Sequence, residues 1–322
     1  MCLQAETAVL LESDDMELNA SHFARIFGIA ESALPKVCID AIARADLRYE
    51  RPDKMARDQM LLRALKYIDS DKPTVVGQHR SEIWESCWSE NLQRFRDAGL
   101  SPESLVPSFV TPGLPVRIDC DYAIPANPSC ELSVLEVCRA FLFDKYYEQV
   151  DSVYEFGCGS GFNLVALASQ FPGKKLYGLD WSKSSNETVG LIRKALDIDV
   201  VGRRFDFFQP DRSVALGGSS GVLTMCALEQ VGERHDAFLN YLLEAKPSVC
   251  VHMEPILELY DEENLVDYVA ARYHRKRRYL EGFLTALRAL ESQRRIEILD
   301  VRRFFFGSFY HEGYSHVAWR PR

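Results

Sequence analysis

Residues 153–182, VYEFGCGSGFNLVALASQFPGKKLYGLDWS, carry three glycines at alternate positions, Gly157, Gly159 and Gly161, between a β-type run and an apolar helical run. Glu155 stands two positions before the first glycine, and Asp180 ends the next β-type run. Glycines at such a turn permit positive φ angles and let a ligand approach the backbone closely, while the helix behind them offers unpaired N–H groups. Three alternate glycines exceed what turning alone requires, so the pattern points to a nucleotide-type ligand.

A dinucleotide fingerprint needs a third small residue where this chain has Phe162, so that a pyrophosphate can sit on the helix N-terminus. Glu155 would put negative charge near that pyrophosphate, but it would welcome the cationic amino group of S-adenosylmethionine. On these residues the stretch resembles the first two motifs of class I S-adenosylmethionine-dependent methyltransferases, over about residues 131–322. The resemblance implies that Glu155, Gly157, Gly159 and Gly161 lie against the methionine half of the cofactor. It implies that Asp180, followed by Trp181, takes both ribose hydroxyls, a pair of hydrogen bonds that one carboxylate can accept. Asp206 and Phe207 in RRFDFFQPD match the family's adenine contacts, with Asp211 as the rival acid. The fourth strand ends near Glu229, at the expected edge of the active site.

Acid–base chemistry has several candidates. His252 and Glu254 in VCVHMEPI are two apart on a strand, hence on one face, just before Pro255. His311 lies in YHEGYSHVAW between the last two strands, beside Glu312. Converging, His252, Glu254 and His311 could hold a metal for carbon methylation of a 2-oxo acid; separately, any of them or Glu229 could serve as a base. No local spacing compels a metal, and none is expected. For the acceptor, Trp84 and Trp88, four apart on a helix, and Arg80 offer a pocket wall, the alternative being two core anchors. The basic cluster Arg272 to Arg278 reads as a solvated face, or as the source of one or two clamps for an anionic substrate from Arg275, Arg277 and Arg278.

Positioning these groups requires an α/β fold. Strands are predicted at 152–157, 175–180, 203–208, 221–226, 248–254, 296–304 and 314–319, with helices at 162–171, 184–196, 233–245 and 263–293 between them. This alternation implies a Rossmann-like, seven-stranded, mostly parallel sheet with an antiparallel last strand. Residues 1–130 read as a mainly helical substrate or cap domain ending in a proline-rich connector with one short strand; residues 131–322 read as the cofactor-binding domain.

The chain has 322 residues, 38 basic and 47 acidic, for a net charge of -9, which argues against nucleic-acid partners. The N-terminus lacks the features of a signal peptide, no apolar stretch is long enough to span a membrane, and the nine scattered cysteines fit reduced thiols in the cytoplasm. The partner expected is a small-molecule substrate, with a homodimer as the one assembly left open. The reading is a methyltransferase acting on a small polar or anionic metabolite. A catalytically silent cofactor-binding subunit and a nicotinamide-dependent oxidoreductase are the alternatives.

Overall fold

The computed structural model of the chain describes residues 16–322. Cys2 and nearly all of the stretch read for a signal peptide lie outside them. Four helices lead: α1 (Ala20–Phe27), α2 (Lys36–Arg44), α3 (Lys54–Asp69) and α4 (Ser81–Asp97). After the proline-rich segment, α5 (Cys130–Tyr147) enters the core, where Phe141 stacks on Phe27 of α1 with ring centroids 3.9 Å apart.

Seven strands follow: β1 (Ser152–Phe156), β2 (Lys175–Asp180), β3 (Val200–Arg204), β4 (Ser220–Met225), β5 (Val249–Glu254), β6 (Ile296–Arg302) and β7 (Ser315–Pro321). They form one sheet in the order β6-β7-β5-β4-β1-β2-β3. Pairs from β3 through β5 are parallel, and β7 runs antiparallel to both β5 and β6. Every residue of β1, β4 and β5 is buried, as expected of strands covered on both faces. Side chains alternate between two cores: Val153, Leu223 and Val251 join one, and Tyr154, Val222 and Cys250 the other. Helices α6 (Phe162–Gln170), α7 (Lys183–Ala195), α8 (Asp236–Ala245), α9 (Leu265–Arg277) and α10 (Phe283–Ser292) supply the crossovers. Strand order reverses between β1 and β4, and the crevice outside the carboxyl ends of these strands is where open α/β sheets bind ligands.

Three expectations need correction. The third strand is Val200–Arg204 rather than 203–208; the aromatic run behind it is a turn whose Phe205 and Phe208 rings are buried. The helix expected over 263–293 is two helices, because Arg278 turns into the left-handed region at φ 57° and Leu280 and Gly282 follow at 41° and 74°. The connector contributes two strands, Val116–Ile118 and Asp121–Pro125, to a five-stranded antiparallel sheet completed by Met16–Glu17, Arg48–Glu50 and Phe306–Gly307. Phe306–Gly307 belongs to the β6–β7 connection, which is thereby tied to the connector.

Candidate active site

The glycine loop leaves β1 with Gly157, Gly159 and Gly161 all at positive φ, 75°, 50° and 74°. At Gly157 a Cβ would stand 2.4 Å from the Cβ of Ala227, so the loop closes directly on the segment after β4. At Gly159 a Cβ would meet the indole of Trp88 at 2.6 Å, so α4 lies over the middle of the loop.

Two buried carboxylates flank this loop. Asp180 accepts hydrogen bonds from the backbone N–H of Gly159 (2.9 Å) on Oδ2 and of Ser182 (2.8 Å) on Oδ1, fixing it between the ends of β1 and β2. Burial lifts its pKa to about 6 against the pull of those N–H groups. Glu155 accepts from Asn163 Nδ2 on Oε1 (2.8 Å), while Oε2 is buried without a partner. Burial pushes Glu155 up to about 8, with Asn163 and the Arg139 guanidinium opposing the shift. An acceptor left unpaired in a low-dielectric site is costly, and a cationic donor would relieve it.

A cavity opens over these groups. Its walls include Gly157, Gly159, Asp180, Trp181, Phe207, Met225, Ala227 and Gln230, closed from above by Trp84, Trp88 and Phe109. The two indoles stack with centroids 5.8 Å apart, and Phe109 meets Trp88 edge-on at 6.3 Å. Trp181 stacks on Phe208 at 6.1 Å. Asp206 lies beside the wall, capping the backbone N–H of Phe208 (2.8 Å) and accepting from Gln78 Nε2 (3.4 Å). Asp211 binds the backbone N–H of Ser213 and does not line the cavity.

The placement of α4 is local chemistry. Glu85 accepts hydrogen bonds from the backbone N–H groups of Lys183 (2.7 Å) and Ser184 (3.2 Å) and from the Ser184 hydroxyl (2.7 Å), at the N-terminus of α7. A carboxylate there is favoured by the helix dipole and its unpaired donors. Pro107, Phe109 and Val110 of the proline-rich segment also line the cavity. Sequence reasoning gave them no role; the one signal was Phe109, an aromatic in a polar turn that remains 55% exposed.

The proposed acid–base residues separate. His252 is fully buried among Phe238, Phe283 and Trp319, away from the cavity. Its Nε2 accepts from the Trp319 indole N–H (3.0 Å), and its Nδ1 pairs with the Thr224 hydroxyl (2.9 Å), so neither nitrogen can take a substrate proton. Burial lowers its pKa to about 3. Glu254 accepts the backbone N–H groups of Ala227 (3.1 Å) and Leu228 (3.0 Å) on Oε1 and of Glu229 (3.2 Å) on Oε2. It positions the turn after β4 rather than facing a substrate. His311 binds His274 (3.1 Å) inside a cluster of tyrosines, and Glu312 is held by Arg303 (2.6 Å). His252, Glu254 and His311 therefore do not gather around one point, and no group of three or more metal-ligating side chains forms among the described residues.

Glu229 remains. Its carboxyl is buried beside the cavity-lining Gln230, whose Nε2 donates to Glu229 Oε1 (2.8 Å). Burial, and then the neighbouring Glu254 carboxylate, raises its pKa to about 8. Among the arginines, Arg80 lies over the Trp84 ring, 5.7 Å from its centroid. Arg278 does not reach the site: it is exposed and paired with Glu233 (2.8 Å) and Glu281 (3.2 Å), as Arg275 is with Glu262 (2.5 Å).

No model of a known protein family matches the chain, and no curated protein matches it. Solved structures with partial likeness include an O-methyltransferase, NcsB1, from neocarzinostatin biosynthesis in complex with S-adenosyl-L-homocysteine and 1,4-dihydroxy-2-naphthoic acid. That likeness has 16% identity and a TM-score of 0.45, and covers 94% of this chain and 89% of that one. Human N-acetylserotonin methyltransferase in complex with SAM is 14% identical, with a TM-score of 0.43, over 84% of this chain and 68% of that one. The methyltransferase domain of a bacterial Hen1 protein is 18% identical, with a TM-score of 0.43, over 58% of this chain and 99% of that one. Similarity this distant carries over no substrate and no residue's role. The Rossmann-like sheet with its antiparallel last strand stands on its own hydrogen-bond pattern.

Proposed function

We propose that the chain is an S-adenosylmethionine-dependent methyltransferase acting on a small polar or anionic metabolite. One observation carries this reading. The loop Gly157–Gly161, the unpaired buried Oε2 of Glu155 and the Asp180 carboxylate meet at the ends of two adjacent parallel strands, under one apolar cavity. The residues present fit the cofactor: Glu155 suits its amino group, Asp180 its ribose hydroxyls, and the Trp181, Phe207 and Phe208 rings its adenine. S-adenosylmethionine supplies an electrophilic methyl group on a sulfonium, whose charge is lost in an in-line displacement. Trp84, Trp88 and Phe109 keep water from that reaction. In this reading Glu229, in its ionised form and hydrogen-bonded to the cavity-lining Gln230, takes the proton from an oxygen or carbon acceptor.

Incubation with methyl-labelled cofactor and a metabolite extract, followed by product identification, tests the function. A labelled small molecule is the expected result. Tight cofactor binding without any labelled product would favour a silent binding subunit instead.

A further inference from the structure

Beside the cavity wall formed by Trp84 and Gln230 stand two arginines, Arg80 and Arg277, that no described carboxylate pairs with. Arg277 is the last residue of α9, and the left-handed turn at Arg278 sends Arg278 outward while Arg277 points in, only 8% exposed. Its guanidinium lies 4.9 Å from the centre of the Tyr279 ring. Its Nε is buried with no hydrogen-bond partner, and so are Nε and Nη1 of Arg80. The two cations act on each other, and Glu229 is the carboxylate whose field reaches both. Yet neither guanidinium forms an ion pair or hydrogen bond with a described carboxylate.

A buried guanidinium beside a half-buried one, with donor nitrogens of both idle and out of water, is costly unless an anion completes them. The planar fork of arginine matches carboxylate and phosphate oxygens in particular. The site adjoins the cavity: Arg80 rests on Trp84, Glu229 adjoins Gln230, and Trp84 and Gln230 both line the wall. Trp84 Nε1 adds a fourth unpartnered buried donor. The chain brings these residues together through the backbone, with Val76 N–H donating to the Arg277 carbonyl (3.0 Å).

We infer that Arg80 and Arg277 form an oxyanion-binding end of the acceptor pocket, so that the methyl acceptor carries a carboxylate or phosphate group. This rests on the reading of the cavity as the methyl-transfer site. The seat holds the anion and leaves the rest of the acceptor against Trp84 and Gln230, facing the glycine loop.

The full chain, titrated first with S-adenosyl-L-homocysteine and then with benzoate, phenyl phosphate or the neutral benzyl alcohol, tests it by calorimetry. At least one anion should bind more tightly than benzyl alcohol, and the better anion tells carboxylate from phosphate. Arg80→Gln and Arg277→Gln should each weaken that anion at least about tenfold, with S-adenosyl-L-homocysteine affinity held within about threefold and Arg275→Gln without effect. Equal anion affinity in wild type and both variants, or no preference for anions over benzyl alcohol, would overturn the proposal. If Arg277→Gln does not fold, the half-buried Arg80→Gln decides. Failure of S-adenosyl-L-homocysteine to bind wild type would sink the cofactor reading, while the anion titration still reports on the two arginines.

Discussion

Asp180 and His252 stand at comparable places in the sequence pattern, each near the carboxyl end of a strand, but the structure gives them opposite surroundings. Asp180 faces the cavity, and each of its oxygens already accepts one backbone N–H, leaving a second lone pair for a ribose hydroxyl. Asp180→Ala should weaken S-adenosyl-L-homocysteine binding by about 1–3 kcal/mol, read by calorimetry. His252 is part of the core. His252→Ala leaves the Trp319 indole N–H unpaired and opens a cavity, so unfolding should become easier by about 2–4 kcal/mol in denaturant titration, with cofactor affinity unchanged. The difference was not legible in the sequence, because the partners of His252 are Thr224 and Trp319, 28 and 67 residues away. The glycines, Glu155 and Asp180 were readable because a strand, a turn and a helix within 30 residues fix their geometry.

Among the elements, α4 does the most to shape the site. Glu85 fastens it to the N-terminus of α7, and that contact sets Trp84 and Trp88 over the glycine loop. Glu85→Ala should cost about 1 kcal/mol of stability, a cap-sized loss, and should change the intrinsic tryptophan fluorescence of the ligand-free protein. An unaltered emission spectrum would mean that the indoles are held without this contact. The four-residue spacing of the tryptophans announced a helix face, but not what covers it. Helix α9 shows the opposite limit. The apolar stripe continues on both sides of Arg278, so periodicity carried the expected helix through a break made by a non-glycine residue at positive φ. With the break, Arg277 turns inward while Arg278 turns outward, a difference that becomes visible only in three dimensions. In the same way the Phe205–Phe208 run has β-type composition, but its rings serve the core and the cavity from a turn.

For the whole molecule, buried ionisable groups set the dependence of stability on pH. Glu155, Glu229 and Glu254 have folded pKa values of about 8, 8 and 7, raised first by burial, against about 4.3 in an unfolded chain. Between these limits the folded state binds more protons, so stability falls as pH rises towards 8. His252 and His311, lowered by burial to about 3, act in the other direction, but only below their unfolded value of about 6.5. From pH 6.5 to 8.5 the carboxylates therefore decide, and the midpoint of thermal unfolding should drop across that range. Glu155→Gln should flatten the decline. A midpoint that rises with pH there would contradict the burial of these charges. At this scale the alternation of strands and helices was legible except at the third strand, whose partly exposed VVGRR run lies before the aromatic turn, and at the break after α9, since the buried strands are short apolar runs bounded by turns. The five-stranded sheet was not, because it joins segments from residues 16 to 307 in strands of two to five residues.

The most direct measurement is calorimetry of the full chain with S-adenosyl-L-homocysteine and, separately, NAD, in wild type and Asp180→Ala. Stoichiometric binding of S-adenosyl-L-homocysteine, weakened about fivefold or more by the substitution, with no binding of NAD, is the result expected. Binding of NAD without S-adenosyl-L-homocysteine, or an affinity for S-adenosyl-L-homocysteine indifferent to Asp180, would contradict the central claim.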